Sequence, residues 1–122
     1  MNLKDRIEAI EAGYEFMLAY AAQGLEAHQS GAHEQEIRAK LTAMHSALEG
    51  LGALIEDTLD EDQFNGFTHA ITQDATHAAG AIALVLSRTG ISSQLIDNLN
   101  ASSHVRAILT DLFLVDEALS HP

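Results

Sequence analysis

Apolar residues along this chain recur in alternating steps of three and four, the period of a helix with one buried face. Leu3, Ile7, Ile10, Tyr14, Met17, Ala21 and Leu25 follow that step, and Asn2 with Asp5 three residues on is a helix start. A first helix is therefore predicted to about Ala27. Phe16 and Tyr20 fall off its seam. At about 100° per residue they lie on the opposite side, in line with Ala9, Gly13 and Ala27, so the helix is expected to carry a second apolar face.

Residues 28–33 read as a polar turn with Gly31 at its middle and Ser30 as a cap. A second helix then carries Ile37, Leu41, Met44, Leu48, Leu51 and Ile55 to about Asp57, forming an antiparallel hairpin with the first. Residues 58–63 hold two capping pairs, Thr58 with Glu61 and Asp60 with Gln63, which predict a third helix from about Glu61 to Arg88 with Gly90 to stop it. Its residues 78–86, AAGAIALVL, have no polar side chain. Too short to span a bilayer, they predict a helix buried on all sides at the centre of the fold. A short helix follows from Ser93 to about Leu99, then a break over residues 100–103. A last helix, to about Leu119, has Val105, Ile108, Leu109, Leu112, Phe113 and Val115 as a broad apolar stripe.

The expected fold is all-α: an up-and-down four-helix bundle with one additional short helix at about residues 93–99, in a single domain over residues 1–122. One stripe per helix suffices for such a bundle. The second face of helix 1, through Phe16 and Tyr20, and the surplus on helix 3, through Leu84 and Leu86, exceed that need. These four residues are the expected interface of a homodimer.

Charge adds to this picture. The net charge is -12, and residues 41–87 hold no Lys or Arg against seven carboxylates. Such a surface repels nucleic acid and anionic lipid, and the partner it favours is a protein with a basic surface. Cysteine is absent, which excludes disulfides and thiol chemistry. No apolar run follows the first basic residues, so neither a secretory signal nor a membrane anchor is expected, and the location is read as cytoplasmic.

Candidate chemistry is sparse. Seven histidines invite a metal reading, yet no His-x-x-x-His occurs, and the only acid-x-x-His pair at diiron-bundle spacing is Asp74 with His77, with Asp where Glu is usual. Asp74 sits beside the seam of helix 3, where a buried carboxylate needs a partner. His77 one turn on and His45 from helix 2 could join it as metal ligands. In size and expected bundle the chain resembles histidine phosphotransfer domains. That resemblance implies an exposed active histidine followed by Lys-Gly, whereas His45 is followed by SALEG and His77 by AAGAIAL. No cofactor is required by any motif. The leading expectation is a small acidic helical interaction protein (an accessory, adaptor or chaperone-like factor) acting as a homodimer. The alternative is a bundle binding a metal or small ligand through Asp74, His77 and His45, with a divergent phosphotransfer domain third.

Overall fold

The computed structural model describes residues 1–29 and 31–121; the expected cap at Ser30 lies outside them. Among the described residues there are six α-helices and no strand: α1 (Leu3–Ala22), α2 (Gly31–Leu48), α3 (Leu51–Thr58), α4 (Asn65–Leu86), α5 (Ser93–Ser103) and α6 (Val105–Ser120). They make an all-α bundle of four rods, two of which are broken. The rod α2–α3 and the rod α5–α6 each pack between α1 and α4, which therefore occupy opposite corners.

Successive rods run antiparallel. Near the start of α1, the Arg6 guanidinium donates to the carbonyls of Ala47 (2.8 Å) and Glu49 (2.5 Å) at the end of α2. Early in α2, Arg38 donates to the carbonyls of Leu86 (3.0 Å) and Arg88 (2.6 Å) at the end of α4. Each guanidinium thus satisfies helix-terminal carbonyls that lack intrahelical partners and opposes the negative end of the helix dipole.

Asn2 caps α1 as expected, its side chain accepting from the Asp5 amide at 2.8 Å. The helix stops at Ala22, short of Ala27. The second predicted helix is two: Gly50, at φ +75°, ends α2, and α3 begins one residue later. The seam continues across the break, with Ile37, Leu41, Met44, Leu48, Leu51 and Ile55 all buried, so the rod is interrupted without being redirected.

The expected capping pairs before α4 do not form. Thr58 Oγ1 donates back to the Leu54 carbonyl, Gln63 bonds Glu61, and α4 starts at Asn65 after a 3-10 turn over residues 62–64. Nor are residues 78–86 buried on all sides. Ala78, Ile82 and Val85 face the core, while Gly80, Ala83 and Leu84 are exposed. Four other helices still pack on α4.

No break occurs at residues 100–103. Leu99 and Ser103, one turn apart, are both buried, and that burial holds α5 helical through a polar stretch. The bend comes at His104 alone, at φ 58° and ψ 22°, the left-handed region that costs a side-chain-bearing residue about 1–2 kcal/mol. His104→Gly is expected to raise stability by about 0.5–1 kcal/mol, net of the entropy glycine adds to the unfolded chain. His104→Val is expected to lower it. Urea denaturation of both variants checks the pair of signs.

Candidate functional site

At the end of the bundle where α3 finishes, α4 begins and α6 finishes, the chain leaves an apolar cleft of about 520 Å³. Phe64 and Phe67 line one wall, three residues apart across the start of α4. Leu114, Val115, Ala118 and Leu119, on one face of the last two turns of α6, form the other, with Leu59 and Glu61 at the turn. Six large apolar side chains stand exposed in the described chain, and two of them line the cleft: Leu114 (58%) and Leu119 (48%). Exposed Phe113 lies on the opposite face of α6. Two exposed leucines and two half-buried phenylalanines around one hollow mark the cleft as a candidate binding surface, since apolar residues exposed singly need no explanation and clustered ones do.

The cleft is acidic at its edges. No Lys or Arg is among its lining residues, and Glu61 is. Asp60 and Asp62 flank Glu61 in the turn, and on α6 Asp116 and Glu117 border the apolar stripe on either side at about 100° per residue. Further along the same helix faces stand Asp74, seven residues after Phe67, and Asp111, three before Leu114. Among the described residues no Lys, Arg or His forms an ion pair with either. Burial, and next the like charge of Asp74, push the Asp111 carboxyl above its ordinary value of 3.8.

A raised carboxyl pKa means that the folded state binds the proton more tightly than the unfolded one. The ionised group therefore opposes folding above the folded pKa, and the opposition vanishes as pH falls through that value to below 3.8. Asp111 is partly solvated, and the hollow beside it also holds Arg106 and His104. Allowing for that screening, Asp111→Asn is expected to gain a few tenths of a kcal/mol at about pH 7 and nothing at about pH 3. Denaturation midpoints at the two pH values check it.

The structure does not bring the candidate metal ligands together. His45 Nδ1 lies 3.4 Å from Glu49 Oε1 on its own rod. His77 Nε2 lies 2.9 Å from the Ser102 carbonyl, donating in the Nε2–H tautomer, and its ring meets His104 edge-on with centroids 5.5 Å apart. Asp74 faces Asp111. Among the described residues no three His, Asp or Glu side chains converge as a metal site.

The four interface candidates also separate. Leu84 is 64% exposed, and Phe16 and Leu86 are half-buried. Tyr20 is fully buried within the chain, its hydroxyl donating to the Ile91 carbonyl at 2.6 Å. It cannot serve an interface, because the segment leading into α5 already covers it. The cleft itself was not foreseen. Its signal in the sequence was the run Leu112, Phe113, Leu114, Val115, more consecutive apolar residues than one stripe can bury.

No protein-family model, curated protein or solved structure matches the chain. No helix among the described residues is long and apolar enough to cross a membrane.

Proposed function

We propose that the protein is an acidic helical interaction module, an accessory or adaptor factor that holds an apolar segment of a partner protein between α6 and the α3–α4 turn. The observation that carries this reading is the exposure of Leu114 and Leu119 in a cleft also lined by Phe64 and Phe67. Docking a partner there would cover apolar surface that otherwise faces water, at about 25 cal/mol per Å². A photocrosslinking residue at position 114, compared with one at exposed Ala39 on α2, tests it in the native cells. A discrete adduct at 114 alone is expected. Equal labelling from both positions, or none from 114, would sink the reading.

Self-association is a second reading, and it is Leu84 that favours it, being the most exposed large apolar side chain of the described chain. A homodimer formed there should dissociate on Leu84→Asp, read by sedimentation velocity. A species already monomeric before the substitution removes the dimer and leaves the cleft reading intact.

A further inference from the structure

Resting on the cleft reading, we infer that its occupant is a short amphipathic helix of another protein, with lysines or arginines bordering the apolar stripe. The shape is the first ground. Two helices, α4 and α6, supply the facing walls, with Phe67 on one and Leu114 and Val115 on the other. A trough between two helices takes the ridge of a third, which presents apolar residues at i, i+3 or i+4, and i+7. About 520 Å³ is ample for such anchors, inside the range of about 300–1,000 Å³ over which formed pockets occur.

Charge selects among helices of that shape. Asp60, Glu61 and Asp62 stand at the turn, Asp116 and Glu117 border the stripe on α6, and Asp74 and Asp111 lie further along α4 and α6, where Arg106 shares the hollow beside Asp111. A helix with acidic borders would meet like charge along its length, whereas a basic one places cations opposite carboxylates and is drawn in by the field of the whole chain. A second copy of this protein fits poorly. It carries a net charge of -12 with six Lys and Arg in all, and two of these, Arg6 and Arg38, are spent on helix-end carbonyls.

The test uses three labelled synthetic peptides, each about four helical turns long, titrated against the full chain by fluorescence anisotropy. The first has leucines along one face bordered by lysines. The second replaces the lysines with glutamates, and the third keeps the first's composition with its leucines scattered off the face. The lysine-bordered peptide is expected to bind at least about tenfold tighter than either other, and to weaken as salt is raised. Leu114→Asp, at an exposed site, should weaken it by about tenfold or more. Asp116→Lys combined with Glu117→Lys should narrow or reverse the preference over the glutamate peptide, which is a readout independent of whether Leu114→Asp folds. Equal binding of the glutamate peptide overturns the basic partner and spares the cleft. Equal binding of the scattered peptide shows attraction by charge alone and overturns the amphipathic helix. If no peptide binds, the amphipathic helix is overturned, and the crosslink at position 114 decides the cleft reading separately.

Discussion

Tyr20→Ala is expected to cost about 3–5 kcal/mol of folding stability, the range for emptying a fully buried aromatic site. The side chain has no exposure, and it is joined to the far end of the sequence by a chain of hydrogen bonds. Its hydroxyl donates to the Ile91 carbonyl at 2.6 Å, and Ser93 Oγ donates to the Tyr20 carbonyl at 2.6 Å. Ser93 Oγ in turn accepts from the Leu25 amide at 2.8 Å, and the Ser93 amide donates to the Leu25 carbonyl at 2.8 Å. This ladder fastens the end of α1 to the start of α5. Removing the ring leaves a cavity and takes a donor from a buried carbonyl, two penalties that add. Tyr20→Phe keeps the ring and isolates the second, at about 1–2 kcal/mol. Against a total stability of about 5–15 kcal/mol, the alanine variant should show a much lower denaturation midpoint with an unchanged slope. The outward-facing Tyr20 expected from the helical pattern makes the opposite forecast: a dimer that dissociates and a monomer of unchanged stability. A loss under about 1 kcal/mol would favour that forecast.

Why the pattern misplaced Tyr20 is instructive about what periodicity carries. It located the helices, the Asn2 cap and the seams of α1 and of the α2–α3 rod, because one buried face repeats at 3.6 residues wherever the helix packs. It could not say how wide the buried face is. α1 packs against two rods, so what reads as two faces is one broad arc of about 180°, with half-buried Phe16 at one edge, buried Ile7 at the other, and Ile10, Met17 and Tyr20 within it. The breaks were hidden for other reasons. At Gly50 the seam keeps its register across the interruption, so periodicity passes over it. At His104 a residue other than glycine adopts positive φ, which is uncommon and leaves no compositional trace.

The ends of the rods were the least legible part. Arg6 and Arg38 cap carbonyls more than forty residues away, and no local motif announces a cap supplied by another helix. The same holds for the cleft. Its apolar residues are visible in the sequence as a surplus on α6, yet the surplus becomes a site only because α6 ends beside Phe64 in the turn and Phe67 in the first turn of α4. The candidate metal residues failed for the converse reason. Asp74 and His77 share a helix and a spacing, but His77 bonds the Ser102 carbonyl, His45 lies beside Glu49 on its own rod, and among the described residues no third ligand converges on Asp74.

Gly13→Ala and Gly52→Ala are each expected to cost about 1–3 kcal/mol, although alanine is the better helix former by about 1 kcal/mol. A methyl group on Gly13 would collide with Met44 Cγ and Sδ, and Met44 is fully buried, so its side chain has no room to swing aside. On Gly52 it would lie 2.5 Å from Thr72 Oγ1 and 2.7 Å from Thr72 Cγ2. Thr72 is β-branched, and its hydroxyl is held by the Thr68 carbonyl at 3.0 Å, so the collision moves helix α3 off α4 before it moves a rotamer. Gly80, in the middle of α4, meets nothing within 4 Å of the same added atom. There the propensity term acts alone, and Gly80→Ala should gain about 0.5–1 kcal/mol. Urea denaturation of the three variants therefore separates two causes by sign. Opposite signs mean that Gly13 and Gly52 set how closely α1 approaches α2 and α3 approaches α4; a shared sign means that helix propensity alone governs all three positions.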